Sequence, residues 1–339
     1  MLADWTKYTL DFLFEARTSR ERMRHKDTYF VRLVDPTAGR QGYGECALFR
    51  GLSADDKPDY EDQLSRACAT GTFNPEYSSL KFGFETALKN MEDLEDNPFT
   101  RGEVGIPING LIWMGDKATM RERIDQKLAQ GFGVLKLKIG GINFEEEVDL
   151  LRYIRSRYSA ADLTIRLDAN GSFAIPEALE KLKVLSQFDI HSIEQPIMAG
   201  HHQAMARLCS ETPIPIALDE ELIGLTPAPD VLENIRPQYI ILKPALCGGL
   251  SGADSWIAHA ESLGIWWWAT SALESNIGLD AIARWLMREH PEKALAMPQG
   301  LGTGQLYSNN IPSPLQLHGS ELYYNPEKSW QIPELQWHR

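Results

Sequence analysis

Two lysines stand two residues apart in the apolar run VLKLKIGG, at Lys136 and Lys138. Alternation along a strand would put both ammonium groups on one face, with Leu135, Leu137 and Ile139 on the other. Four more apolar runs each end on a charged residue: Asp168 in LTIRLDAN, Glu194 in IHSIEQP, Asp219 in IPIALDEE and Lys243 in QYIILKP. From Lys138 onward these follow one another at intervals of 24 to 30 residues, about one strand plus one helix. Taken singly, each carboxylate reads equally well as a helix cap or a solvated loop residue. Three at a common phase suit a hard divalent cation, Mg²⁺ or Mn²⁺ in its place, completed by water and substrate oxygens. Neither a His cluster nor paired thiolates recommend zinc.

A lysine beside such a cation can remove the weakly acidic proton next to a carboxylate, while the cation stabilises the charge that develops. Residues i and i+2 lie about 6.6 Å apart along a strand. Two ammonium groups at that distance repel by about 2.5 kcal/mol at an effective dielectric near 20. Lys136 is therefore expected to ease proton loss from Lys138 and make it a usable base near neutral pH.

To carry these groups to one rim, the chain must supply strands separated by helices. Strands are predicted over 104–110, 133–140, 163–170, 190–196, 214–221, 238–244, 264–271 and 294–300. The intervening segments are helical in pattern; in NFEEEVDLLRYIRSRY, Phe144, Val148, Leu151, Ile154 and Tyr158 recur at helical spacing. The fold class is α/β: a TIM-type barrel, of modified (β/α)7β form, whose C-terminal rim holds the chemistry. An open doubly wound sheet would need a GxGxxG loop, which is missing. Residues 1–100 read as an α+β capping domain with three antiparallel strands and a helix over 78–94. The barrel occupies 101–304, and 305–339 is an irregular segment returning to the cap.

The whole-chain numbers exclude several classes. A net charge of −13 over 339 residues argues against a nucleic-acid partner, which needs a basic face. No apolar run approaches the roughly 20 residues that span a bilayer, and the first residues lack the pattern of a secretory signal. Four scattered cysteines, Cys46, Cys68, Cys209 and Cys247, read as reduced thiols of a cytoplasmic protein. The expected partner is a small-molecule carboxylate.

The motifs KLK (136–138), DAN (168–170), EQP (194–196), DE (219–220) and LKP (242–244) resemble those of the enolase superfamily, in its muconate-lactonizing subgroup. The superfamily's pairing of a Lys or His base with Mg²⁺ is a known pattern. The resemblance implies Asp168, Glu194 and Asp219 as metal ligands, Lys138 as base on one face and Lys243 opposite. No histidine follows the aromatic strand near 271, which argues against the mandelate-racemase branch. The stretches SALESNIGL (271–279), GLGTGQLY (300–307) and GYGECALFRGLS (42–53), together with Arg166, resemble a dehydrating branch. Its substrate would be a hydroxylated cyclohexadiene carboxylate with a succinyl chain, losing water by syn elimination through an enediolate. Substrate contacts are then expected from Arg166, Asn170, Ser271, Ser275, Gly302, Thr303, Phe49 and Gly51. Three other activities of the fold remain: racemisation of N-acylamino acids, epimerisation of dipeptides and cycloisomerisation of muconate. The second is weakened by MPQGLGTGQ (297–305), which carries no acidic DxD motif. A non-catalytic, metal-stabilised barrel that binds a partner is the reading from another class.

Overall fold

The computed structural model describes residues 1–17, 22–92, 96–224 and 229–339. Its N-terminal part is an antiparallel sheet of three long strands: β1 (Leu2–Arg17), β2 (Arg22–Asp35) and β3 (Arg40–Cys46), in that spatial order. Two helices, α1 (Tyr60–Thr70) and α2 (Ser78–Glu92), cover it. The helix expected over 78–94 is described to Glu92; residues 93 and 94 lie outside the described residues. Gly44 permits the close approach of α2, since a Cβ there would lie 1.9 Å from the Gly83 carbonyl oxygen. Trp5, Tyr29, Val31, Leu64 and Leu80 form the core between sheet and helices.

After a short β4 (Ile106–Pro107), the chain alternates strand and helix as its sequence pattern predicts. The order is β5 (Gly110–Ile112), α3 (Lys117–Ala129), β6 (Val134–Lys138), α4 (Phe144–Arg155), β7 (Thr164–Asp168) and α5 (Ile175–Leu185). There follow β8 (Ile190–Glu194), α6 (His202–Glu211), β9 (Ile216–Leu218), α7 (Pro229–Ile235), β10 (Tyr239–Leu242), α8 (Gly249–Ser262) and β11 (Trp266–Ala269). Strands β5 to β11 form one parallel sheet in chain order. Helix α9 (Asn276–Glu289), α10 (Pro291–Ala296) and a hairpin of β12 (Leu315–His318) and β13 (Glu321–Tyr324) complete the chain.

Two strand predictions need correction. The segment 104–110 is split: β4 leaves the barrel to pair antiparallel with β13, and the first barrel strand begins at Gly110. The segment 294–300 starts as α10, because Pro291 pre-sets a helical first turn. Only Gln299 and Gly300 act as the eighth strand, bridging Ile108 on one side and Thr270 on the other. Pro298 has no N–H to give to a ladder, which keeps this closing element short.

Cap and barrel share one apolar core: Leu10, Phe49 and Phe82 belong to the same cluster as Ile112, Leu137 and Ile193. The last residues return to the first strand. His338 and Trp5 exchange backbone hydrogen bonds, and the Asp11 N–H donates to the Asn309 side chain at 2.7 Å.

Candidate active site

The parallel register fixes the site. Lys138 pairs with Asp168 across β6 and β7, and Asp168 with Glu194 across β7 and β8. Asp219 follows the last residue of β9, and Lys243 that of β10. The loops that follow are held by left-handed residues, Asn170 (φ 45°) and Gln195 (φ 40°). Gln195 is a positioning residue that sequence reading passed over: its side-chain oxygen accepts the Asp219 N–H at 3.2 Å. Its signal was there in EQP, since a buried amide can join two neighbouring strands.

Lys136 and Lys138 both reach Asp168 Oδ2, at 3.0 and 2.9 Å. Lys138 also donates to Asn170 Oδ1 at 2.9 Å and lies over the Trp113 ring, 5.7 Å from its centroid. Lys136 further contacts Glu194, and Lys243 pairs with Asp219. The expectation that Lys136 acts by repelling Lys138 is therefore revised. A carboxylate oxygen lies against both ammonium groups and offsets their repulsion. Burial pulls Lys136 down, but Asp168 and Glu194 outweigh it and hold it up at about 12.

The carboxylates are buried and unequal. Burial favours a neutral Asp168, yet Lys136, Lys138 and Lys243 hold it well below the usual carboxylate range. Lys243, itself opposed by burial, is held above its ordinary value by Asp219 first and then Glu194. Glu194 goes the other way: burial, then Asp168 and Asp219, push it well up. Its contact with Lys136 lacks hydrogen-bond geometry, so neither carboxylate oxygen has a hydrogen-bond partner among the described residues.

Among those residues, no three His, Cys, Asp or Glu side chains converge as a ready metal cage; lysines reach in among the carboxylates instead. The donor set nonetheless fits a hard cation. Three carboxyl groups stand on adjacent strands, and Glu194 is buried with both oxygens accepting no hydrogen bond among the described residues. Lys136, Lys138 and Lys243 face Asp168, Glu194, Asp219 and the cavity-lining Glu220, and a divalent cation bound among them would shift the cleft towards positive charge, which suits an anionic substrate.

A cavity of about 250 Å³ opens over this row. Its lining includes Lys136, Lys138, Asp168, Asn170 and Lys243, and of the expected substrate contacts also Phe49, Gly51, Ser271, Gly302 and Thr303. Glu194 and Asp219 are buried and do not themselves line it. Two expected contacts are placed elsewhere. Arg166 points into the barrel below the site, donating to the Pro298 carbonyl at 2.8 Å and lying over Trp268. Two residues before Asp168 means the same strand face but one layer deeper. Ser275 caps the N-terminus of α9 and donates its hydroxyl to Glu45. The sequence reading missed Asn109, Leu111 and Trp113, which alternate into the cavity along β5 and the residues flanking it. Placing the first strand too early hid that alternation.

Comparison with known proteins agrees with this fold. Residues 119–304 match the family model described as Enolase C-terminal domain-like. An o-succinylbenzoate synthase from Desulfotalea psychrophila is 44% identical, over 92% of this chain and 96% of that protein. The crystal structure of MenC from Desulfotalea psychrophila superposes with a TM-score of 0.81 at 41% identity, covering 95% of this chain and 99% of that one. An N-succinylamino acid racemase from Thermus thermophilus is 33% identical, over 52% of this chain and 45% of the relative. A family match over more than half of the chain, joined to likeness in sequence and fold along nearly its whole length, makes this chain a member of the enolase superfamily.

Proposed function

We propose that the chain dehydrates 2-succinyl-6-hydroxy-2,4-cyclohexadiene-1-carboxylate to o-succinylbenzoate, a carbon–oxygen lyase step of menaquinone biosynthesis. The observation that carries the reading is that Lys138 and Lys243 enter one cleft from opposite ends of a row of three buried carboxylates. The 44% identical o-succinylbenzoate synthase supports the choice of substrate. Members of the superfamily generally bind Mg²⁺; here Asp168, Glu194 and Asp219 would hold it, with Mn²⁺ able to substitute. Bound there, the cation would stabilise negative charge developing on the substrate's carboxylate.

This chain's own residues do the rest. Lys138 takes the proton from the ring carbon that bears the carboxylate, and the bonding pair enters the ring-to-carboxylate bond as an enediolate. The same ammonium group then gives that proton to the hydroxyl on the same face, which leaves as water while the ring becomes aromatic. Lys243, kept cationic by Asp219, acts on the opposite face by charge. Lys136 stays protonated and shares Asp168 with Lys138 while also contacting Glu194. Trp113, Leu111, Phe49 and Leu52 form the apolar wall for the ring. Asn170, Ser271, Gly302 and Thr303 face the succinyl chain. Thr303 Oγ1 is buried without a protein hydrogen-bond partner among the described residues, which supports its use by a ligand.

Domain limits of 1–100, 101–304 and 305–339 accompany this reading, supported by the antiparallel sheet, the parallel sheet and the returning tail. A small anionic substrate and a net charge of −13 suit a cytoplasmic enzyme without a nucleic-acid partner. No helix of the described residues is long and apolar enough to cross a membrane.

Product analysis tests the proposal: purified protein with the cyclohexadiene substrate and Mg²⁺ should give o-succinylbenzoate, and none in excess chelator. The lysine pair and the Thermus relative favour one rival, racemisation of N-succinylamino acids. Rapid deuterium incorporation from D₂O into both enantiomers, with negligible dehydration, would establish that rival instead.

A further inference from the structure

A second buried charge cluster lies away from the reacting groups, where the cap meets the loop after β11. Lys26 of β2 is 4% exposed, and its ammonium has no hydrogen-bond partner among the described residues. Two buried carboxylates act on it electrostatically, Glu45 of β3 and Glu274 of the barrel loop. Glu45 is fully engaged. It accepts from the Thr28 hydroxyl at 2.8 Å, from the Ser275 hydroxyl and N–H at 2.6 and 3.0 Å, and from the Gly278 N–H at 3.0 Å. It thereby ties the cap sheet to the first turn of α9. Glu274 has one oxygen occupied by the Ser271 hydroxyl and one, Oε1, without a partner.

What Glu274 holds is a wall of the substrate cleft. The Ser271 hydroxyl donates to Glu274 and accepts from the N–H groups of Leu273 and Glu274, at 2.9 and 3.2 Å. Inside that turn Leu273 sits at φ 63°, a left-handed conformation that a leucine adopts only when its surroundings hold it. Its carbonyl accepts from the Tyr307 hydroxyl at 2.8 Å. Ser271, Ala272 and Leu273 all line the cavity.

We propose that Glu274, buried beside Glu45, is a positioning residue whose carboxyl orients Ser271 and so fixes the Ser271–Leu273 wall against the substrate's chain. A cap lysine and a cap glutamate thereby set the shape of a barrel loop that they do not touch substrate to reach. The inference rests on reading this cavity as the substrate site.

Three variants test it. Glu274→Ala removes the acceptor and should raise KM about tenfold or more while kcat stays within threefold, because Lys138 and Lys243 are untouched. Glu274→Gln keeps an acceptor for Ser271 and should restore KM to within threefold of the parent. Lys26→Met leaves Glu274 facing Glu45 without a balancing cation. Its KM should climb as pH rises from 6 to 9, and adding Glu274→Gln should remove that climb. Hydrogen exchange of the peptide covering 271–275, followed without substrate, should quicken at least fivefold in Glu274→Ala while the β7 peptide is unchanged. Unaltered KM and unaltered exchange at 271–275 would overturn the proposal. So would parallel losses in kcat, KM and exchange throughout the barrel, which would mark a purely structural role. If the parent protein does not dehydrate the substrate, the functional reading fails, and the exchange experiment still decides whether Glu274 orders the turn.

Discussion

At the scale of single residues, the two cleft lysines should behave unequally. Lys138→Ala should abolish dehydration, since no other base reaches that face. Lys243→Arg keeps the positive charge but is a poor proton donor and acceptor. It should retain a measurable fraction of kcat, of the order of 1–10%, if Lys243 acts by charge. Steady-state kinetics on both variants reads the difference, and equal abolition would assign Lys243 a proton-transfer role. The five charged positions were legible because strand periodicity and the strand–helix interval both constrain them. Electrostatic roles were not. Whether Lys136 repels Lys138 or neutralises carboxylates depends on where ammonium groups come to rest in three dimensions. Arg166 shows the same limit, since sequence gives the face of a strand but not its depth.

Among the elements, the weakest link in the barrel is the two-residue closure at Gln299 and Gly300. Gly300 has no room for a side chain: a Cβ there would lie 2.0 Å from Thr270 Oγ1 and 2.5 Å from Thr270 Cβ. Gly300→Ala should cost about 1–3 kcal/mol as overpacking. The midpoint of urea unfolding should report it, with kcat falling as well because Gly300 lines the cavity. An unchanged midpoint would mean that Thr270 yields freely. Six of the eight predicted strands were legible because each carries an apolar run. The eighth was not, because its pairing is made by two residues whose partners lie far away in sequence. The first strand was set too early because IPING and GLIWM both look extended, and only tertiary pairing divides them between two sheets.

Across the whole molecule, buried titratable groups pull stability in opposite directions as pH changes. Burial, then the neighbouring Glu45, raise Glu274 to about 7 against the opposing pull of the Ser271 hydroxyl and Lys26, and Tyr307 also feels its charge. A carboxyl raised on folding favours the native state below its ordinary value near 4.5, and that advantage fades as pH climbs to about 7. Burial, then Arg166, lowers His191 to about 4. Its contribution is complete above about 6.5 and fades as pH falls to 4. Glu274→Gln should therefore gain on the parent by about 3 kcal/mol between pH 4.5 and 7, read from urea midpoints at several pH values. A constant difference would show that Glu274 titrates normally. Metal binding gives a further whole-molecule readout: millimolar Mg²⁺ should raise the melting temperature, excess chelator should lower it, and Asp219→Asn should shrink the shift. One feature of the architecture also bears on how the chain is made. The outer edge of β1 is covered by residues near 309 and 338, and Asp11 waits 298 residues for its partner Asn309. At about 5–20 residues per second on a ribosome, that is roughly 15–60 s during which a long strand edge lies open to other nascent chains. A cap that closes only when the tail arrives makes synthesis itself the hazardous stage, and slow translation or a truncated message should send this protein to chaperones rather than to its native state.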